Sequence, residues 1–112
     1  MGHLKERQLR LAELNDHFRR TGHGGERYIT RGVHSLGPAF VTKAICLVGA
    51  FDRFNEENDP YGTHDFGVVH VDGERVYFKI DYFDHDGQGR SPDPADTVVT
   101  TRVMTIMLAE DY

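Results

Sequence analysis

The dipeptide Asp72–Gly73 is the feature that most constrains the fold of this chain. It separates two strand-like runs, residues 64–71 and 74–83, that are rich in Val, Ile, Phe and Tyr. An Asp-Gly pair supplies the positive φ angles that a two-residue type I′ turn needs. The sequence therefore predicts an antiparallel hairpin whose register is fixed by the turn, with Val71 facing Glu74.

This register divides the hairpin into two faces and places His64 opposite Asp81. The first face is apolar and is predicted to lie against the core; it carries Val69, Val71, Val76, Phe78, Ile80 and Tyr82. The second face is mixed, which is typical of a half-solvated or partly covered surface; it carries His64, Phe66, His70, Tyr77, Lys79, Asp81 and Phe83. We expect functional residues on the second face.

Two helices are predicted before the hairpin. Apolar residues recur at helical spacing between Leu4 and Arg20, and glycines from Gly22 onward end that pattern. A second helix is predicted over residues 38–48, because Pro38 suits a first helical turn, although the β-branched residues in this stretch also fit a strand.

Further strands are predicted on both sides of the hairpin. Residues 28–33 alternate as a short strand, and residues 98–106 have seven β-branched residues in nine, which favours a central strand over a helix after Pro94. Residues 87–96 contain two prolines and two glycines and are predicted to be a loop. The fold class is thus α+β: an N-terminal and a second helix packed on a small, mostly antiparallel sheet.

Chain length and cysteine content indicate the number of domains and the cellular compartment. A chain of 112 residues fits a single domain over residues 1–112. Its single cysteine, Cys46, lies in an apolar run, so we expect a buried, unreactive thiol and a reducing, cytoplasmic environment. The longest apolar stretch, residues 44–51, is too short to span a bilayer, and no membrane association is expected.

Charge is distributed unequally along the chain. Residues 1–45 hold eight Lys or Arg against four Asp or Glu, whereas residues 46–112 hold five against fourteen. Like charges at this density repel one another, which favours a function that uses them, namely binding of a protein with a basic surface. The predicted partner-binding residues are Asp52, Glu56, Glu57, Asp59, Tyr61, Asp84, Asp86, Asp93 and Asp96. Neither a cofactor nor direct nucleic-acid binding is expected.

Several sequence blocks resemble a known family. The blocks are NDPYG at 58–62, HDFG at 64–67, KIDYFD at 79–84 and SPDPAD at 91–96, together with shorter matches at Asn15-Asp16, Phe18-Arg19, Gly32-Val33, Phe51, Phe54 and residues 102–112. The family comprises small, mainly proteobacterial proteins catalogued as a domain of unknown function, often encoded on plasmids or phage-derived DNA. The chain departs from it at Thr63, where the family usually has Glu.

The resemblance implies a genetic context and no activity. Small acidic proteins of mobile elements are often inhibitors of host defence, so we expect an inhibitor or adaptor of the anti-CRISPR or anti-restriction type, acting on a nucleic-acid-binding defence complex. This expectation is an analogy with such proteins.

Two other functions remain open. His64, Asp65, Asp81 and Asp84 are metal-ligand types, and the predicted pairing of His64 with Asp81 suggests a metal-dependent hydrolase or nuclease in which this pair could also act as a general base. The basic N-terminal helix suggests instead a regulatory or antitoxin-like partner protein. The sequence has neither an HExxH nor a CxxC motif, so catalysis is the weaker expectation.

Overall fold

The structure is a computed structural model that describes residues 2–112, with side chains described from residue 4 onward. Three helices and four strands occur in these residues. They are α1 (Gly2–Thr21), β1 (Glu26–Ile29), α2 (Arg31–His34), α3 (Pro38–Ala50), β2 (Phe66–Val71), β3 (Glu74–Phe83) and β4 (Thr101–Leu108), followed by a 3-10 turn at Ala109–Asp111.

The four strands form one mixed sheet with the order β1-β4-β3-β2. The pairs β2–β3 and β3–β4 are antiparallel, and the short β1 lies parallel to β4 at one edge. The predicted α+β class with a mostly antiparallel sheet is therefore confirmed. The predicted central strand is also confirmed, although β4 begins at Thr101 rather than Val98.

The hairpin has the predicted register. Val71 pairs with Glu74, Val69 with Val76 and Phe66 with Lys79. Asp72 and Gly73 both adopt positive φ, at 50° and 85°, as the two-residue turn requires. The predicted apolar face of this hairpin supplies five buried core residues, Val69, Val71, Val76, Phe78 and Ile80, and Tyr82 is half-buried.

Helix α3 covers the apolar face of the sheet. Its buried residues Phe40, Ala44 and Val48 recur every fourth position and pack with Phe18 of α1 and the strand residues in one core. Cys46 lies on the opposite side of α3 and is exposed. The prediction of a buried thiol was wrong because the whole 44–51 run is apolar while only one side of the helix faces the sheet.

Two predicted strand boundaries were also wrong. Residues 28–33 do not continue as one strand, because Thr30 ends β1 and caps α2, its side chain accepting a hydrogen bond from the Val33 backbone N–H. Strand β2 begins at Phe66 rather than His64, because His64 adopts a left-handed backbone conformation with φ of 58°.

The two ends of the sheet differ. At the end that we call the turn end, Asp72–Gly73 joins β2 to β3. At the opposite end, Phe66 begins β2, Phe83 ends β3, and Thr101 of β4 pairs with Phe83. Residues 51–65, which follow α3, therefore enter the sheet at this second end, and residues 84–100 connect β3 to β4 there; we call it the loop end.

Candidate functional site

A buried asparagine on α1 connects the elements that meet at the loop end. The Asn15 side chain is fully buried. Its Nδ2 donates to the backbone oxygen of Thr63 at 2.9 Å and to the Tyr82 hydroxyl at 2.7 Å, and its Oδ1 accepts from Nε of Arg102 at 2.9 Å. Because buried polar groups stabilise only when they are satisfied, Asn15 fixes the position of three segments at once.

Arg102 and Tyr82 extend this network across the sheet. Nη2 of Arg102 donates to the Pro94 backbone oxygen at 2.6 Å, and the guanidinium lies 5.4 Å from the centre of the Tyr82 ring. The Tyr82 hydroxyl in turn donates to Oδ2 of Asp65 at 3.0 Å. Burial raises the pKa of Tyr82, and the negative charge of Asp65 adds to this effect, so the hydroxyl keeps its proton.

A second buried guanidinium, that of Arg19, joins α1 to the end of α3. Its Nη1 donates to the backbone oxygens of Val48 at 2.6 Å and Phe51 at 2.9 Å, and its Nη2 donates to Asp16 at 2.6 Å. Gly49 permits this close approach, since a Cβ there would lie 2.9 Å from the Arg19 backbone oxygen. Burial lowers the pKa of Arg19, and its hydrogen bond to Asp16 opposes that shift.

The same Asp16 carboxylate also holds His64. Nδ1 of His64 lies 2.9 Å from Oδ1 of Asp16, and Nε2 lies 3.8 Å from Oδ2 of Asp59. The imidazole stacks on the Phe54 ring with centroids 4.0 Å apart and an interplanar angle of 4°. The Asp59 carboxylate accepts hydrogen bonds from the backbone N–H groups of Thr63 and His64. These contacts hold His64 in its left-handed conformation.

His64 and Asp65 open onto two different clefts. The His64 cleft has a volume of about 330 Å³ and is lined by residues that include Phe54, Glu56, Asp59 and Tyr61. The Asp65 cleft has a volume of about 470 Å³, and its lining includes Asp81, Tyr82, Phe83, Arg90, Ser91 and Pro94. One dipeptide thus forms part of the wall of both clefts.

Asp65 is the titratable group that the fold perturbs at the second cleft. Burial raises the pKa of its carboxyl, hydrogen bonds from Tyr82 and Thr63 oppose that shift, and the nearby Asp59 charge reinforces it. A perturbed carboxyl in a cleft is a common property of binding and catalytic sites.

The predicted metal-ligand residues do not converge. His64 contacts Asp16 and Asp59 rather than Asp81, because β2 begins after it. Asp81 lies 3.4 Å from Lys79, and Asp84 accepts a hydrogen bond from the backbone of Gln88. Among the side chains of residues 4–112, no group of three or more His, Cys, Asp or Glu is arranged to hold a metal ion. The predicted pairing of His64 with Asp81 was therefore wrong.

The predicted partner-binding residues fall into three groups. Exposed side chains belong to Asp52, Glu56, Glu57, Tyr61, Asp86 and Asp96. Two residues are half-buried: Asp84 accepts a hydrogen bond within its own turn, and Asp93 forms an ion pair with Arg7 of α1. Asp59 is buried and serves the local fold through its bonds to Thr63 and His64.

The loop end is strongly acidic. Residues 51–65 contain five acidic residues and one arginine, and residues 84–100 contain four acidic residues and one arginine. Both segments meet the sheet at the same end, and one of their exposed carboxylates, that of Glu56, lines the His64 cleft. In the sequence these two segments lie on either side of the hairpin, so their meeting at one end of the sheet is visible only in the structure.

Asn15, Asp16, Arg19 and Arg102 were not predicted as site residues, although all four lie in the blocks that carry the family resemblance. A signal for two of them exists on α1. Asn15 and Arg19 are four residues apart and flank Phe18, so they lie on the apolar side of the helix, where a polar residue needs a buried partner.

The comparison with protein families identifies the chain. A family model described as "Protein of unknown function (DUF3768)" matches residues 29–111. The chain belongs to this family. The DUF3768 match confirms the resemblance deduced from the sequence blocks, and it begins after α1, so that Asn15, Asp16 and Arg19 lie outside the matched stretch. Compared with curated proteins and with solved structures, the chain shows no significant match.

Among the helices of residues 2–112, none has the length and apolar character needed to cross a membrane.

Proposed function

We propose that this DUF3768 protein binds a protein with a basic surface through its loop end and acts as an inhibitor or adaptor without turnover. The observation that carries this proposal is the position of the exposed acidic residues. Two chain segments that are distant in sequence, residues 51–65 and 84–100, meet the sheet at the same end and carry the exposed acidic residues Asp52, Glu56, Glu57, Asp86 and Asp96, of which Glu56 lines the His64 cleft.

The basic side chains of the molecule leave most of this charge unopposed. Arg19 and Arg102 are buried in the network beneath the loops, and Arg7 is engaged by Asp93. The exposed carboxylates of Asp52, Glu56, Glu57, Asp86 and Asp96 make no ion pair with any described residue. Uncompensated surface charge steers an oppositely charged partner and accelerates its association.

An aromatic side chain adds apolar contact area to this acidic surface. Tyr61 is 72% exposed at the rim of the His64 cleft, next to Glu56. Aromatic residues that become desolvated on binding often supply much of the affinity of an interface. Charge would therefore attract the partner, and the Tyr61 ring would help to retain it.

The type of partner follows from charge and genetic context. A nucleic-acid-binding protein presents a basic groove that complements an acidic surface of this kind. The resemblance to proteins of plasmids and phage-derived DNA supports a defence complex of the anti-CRISPR or anti-restriction type as the target. The lone cysteine supports a cytoplasmic setting for this interaction.

The decisive experiment reverses charge at the two ends of the sheet separately. Glu56→Lys/Glu57→Lys changes the loop end, and Glu74→Lys/Glu110→Lys makes the same net change at the turn end, where both glutamates are exposed. We expect the loop-end variant to lose the basic partners captured by the wild type from bacterial lysate, and the turn-end variant to keep them.

Ionic strength provides a second readout for the same capture. Binding through exposed charge should weaken steeply between low and high salt, since the Debye length shortens to about 3 Å at 1 M salt. Equal loss in both variants, or a complex that salt does not weaken, would contradict the proposal.

A further inference from the structure

We propose that the outer edge of β2 pairs with the same edge of a second copy of this chain, so that two molecules share one continuous antiparallel sheet. The inference goes beyond the proposed function and does not depend on it. The strand order β1-β4-β3-β2 leaves β2 at one edge of the sheet, with a neighbouring strand on one side.

The backbone of β2 directs hydrogen-bonding groups away from its own sheet. The Ile80 N–H donates to the Asp65 backbone oxygen at 2.8 Å, so the odd-numbered residues of this arm of the hairpin bond to β3. The N–H and C=O groups of Phe66, Val68 and His70 therefore point outward, and no backbone hydrogen bond from a turn, loop or cap in residues 2–112 engages them. An edge of this kind is a template for a further strand.

The two edges of the sheet differ in their protection against strand addition. The opposite edge, β1, is four residues long and carries Glu26 and Arg27, and short, charged edge strands resist pairing with another chain. Strand β2 is six residues long, contains neither a charged residue nor a proline, and pairs with β3 without a bulge. The β2 edge thus lacks the features that normally prevent strand addition.

The β2 edge is self-complementary in one register. Two copies related by a two-fold axis perpendicular to the sheet meet as antiparallel strands. If Val68 lies opposite Val68 of the second copy, Phe66 lies opposite His70, and all three residues form hydrogen-bonded pairs with apolar or aromatic side-chain contacts. The next register in either direction would place Phe66 or His70 opposite a residue outside β2.

Apolar side chains of α3 lie along the same edge. Leu47 is 41% exposed and lines two clefts formed by residues of α3 and β2, with volumes of about 400 and 460 Å³. The exposed Cys46 lines the larger one. Because the two-fold axis places both copies of α3 on the same face of the sheet, Leu47 of the second copy would approach these clefts and bury apolar area that one molecule leaves exposed.

Charge favours a second copy as the occupant of this edge. Antiparallel pairing places the loop end of each copy beside the turn end of the other, which keeps the two acidic loop ends apart. One cleft includes Asp52 and Arg53, and the other includes Lys43 and Asp72. The two-fold axis brings the first cleft of one copy toward the second cleft of the other, so that opposite charges can meet at both ends of the interface.

Sedimentation equilibrium of the full chain over a wide concentration series tests the proposal. We expect a monomer–dimer equilibrium for the wild type. Val68→Lys places two ammonium groups opposite each other at the axis and should raise the dimer dissociation constant about tenfold or more. Tyr28→Lys is the matched control, because Tyr28 is 55% exposed on the β1 edge, and it should leave the dissociation constant unchanged.

Val68→Pro provides a second variant that acts through the backbone. It removes an N–H group that points away from β3, so the hairpin keeps its own hydrogen bonds while the dimer loses a donor on each strand. We expect this variant to be a folded monomer, with folding checked by circular dichroism. If Val68→Lys does not fold, Val68→Pro takes its place.

Cross-linking tests the register itself. In a Cys46→Ser background, Val68→Cys places two thiols at the axis, where hydrogen-bonded antiparallel residues have Cα atoms about 5.5 Å apart, within disulfide range. His70→Cys is more exposed but lies opposite Phe66 of the second copy. We expect air oxidation to link the residue-68 variant and not the residue-70 variant, and equal linking would contradict the register.

Two further results would overturn the proposal. One is a wild type that stays monomeric at every concentration, and the other is a dimer that both Val68→Lys and Val68→Pro leave intact. A monomer whose β2 amides become protected from hydrogen exchange only when a captured partner is present would assign this edge to a strand of that partner, and would overturn the proposal as well.

Discussion

The turn end and the loop end of the sheet are held together in different ways. At the turn end, two adjacent residues with positive φ reverse the chain, and the side-chain contact there is the exposed pair of Lys43 and Asp72. At the loop end, buried side chains connect distant segments: the hydrogen bond from Asn15 to Thr63 spans 48 residues, and the bond between Arg102 and Asn15 spans 87.

The turn end is therefore specified by local sequence, whereas the loop end is specified by contacts between residues that are distant in the sequence. The turn end depends on backbone conformations that neighbouring residues prefer. The loop end depends on polar groups that must find one another after the chain has collapsed, and each is costly if it is left without a partner. The clefts and the acidic segments lie at the end that needs the long-range contacts, so function and stability should be most closely coupled there.

The largest effect is expected for Arg19→Met. The substitution keeps most of the apolar stem but removes the donors to Val48 and Phe51 and leaves their carbonyl oxygens at a buried junction. We expect a loss of about 3 kcal/mol in the free energy of unfolding, measured by urea denaturation. The matched control is Arg20→Met, because Arg20 is exposed on the same helix and should cost less than about 0.5 kcal/mol. Similar losses of unfolding free energy for the two variants would show that the buried contacts of Arg19 do not stabilise the loop end.

A somewhat smaller loss is expected for Asn15→Ala. The change removes the common partner of Thr63, Tyr82 and Arg102, and it should cost about 2 kcal/mol in the free energy of unfolding. It should also loosen the loop after β3, which Arg102 holds through Pro94, and hydrogen exchange of residues 91–96 reports on that loosening. Glu13→Ala, on the exposed side of α1, is the control. Unchanged exchange in this loop would show that Asn15 does not organise it.

The contrast between the ends also explains which parts of the fold were predictable. The register of the hairpin followed from Asp72–Gly73 alone, and α3 followed from Pro38 and the residues after it, because both signals are local. The parallel pairing of β1 with β4 joins Glu26 to Val103, and no local pattern encodes that pairing. The four-residue α2 was missed because its signal is a single cap, Thr30, within a stretch of strand-forming residues.

The candidate site was predictable only in part. His64, Asp65 and the acidic loop residues were selected by type, but their partners were not, since Asp16 contacts His64 from 48 positions away. The hairpin pattern also extended β2 to His64, and no periodicity reveals that this residue turns into a left-handed conformation to meet Asp16 and Asp59. Polar residues on the apolar side of α1 were the missed indication of a buried network.

At the turn end, the largest expected effect comes from the backbone. Gly73 has a φ of 85°, and a side chain there favours other conformations, so Gly73→Ala should cost about 1 kcal/mol in the free energy of unfolding. Gly73→Asn should cost less, because asparagine tolerates positive φ better than alanine does. Equal losses in thermal or urea unfolding of the two variants would indicate that turn conformation is not the cause.

A pH series tests the buried carboxyl of the loop end, with a smaller effect because Asp65 keeps contact with solvent. Burial raises its pKa in the folded state above the unfolded value of about 4. Its contribution to stability is therefore fully present below the unfolded pKa and is lost as pH rises through the folded pKa. Urea unfolding should show the stability of the wild type falling relative to Asp65→Asn as pH rises from about 4 toward neutrality, whereas a constant difference would contradict the shift.

The smallest effect is expected for the ion pair at the turn end. Lys43 and Asp72 approach to 2.9 Å, but their side chains are 57% and 53% exposed, so water and salt screen the attraction and both chains lose rotamer freedom. Lys43→Ala should change the free energy of unfolding by less than about 0.5 kcal/mol.

The pair of Asp16 and Arg19 has a shorter contact of 2.6 Å and a fully buried guanidinium. A double-mutant cycle on each pair should give a larger coupling energy at the loop end, because a buried ion pair is screened less by solvent and its partners cannot rehydrate separately; equal couplings would mean that burial does not distinguish the two ends.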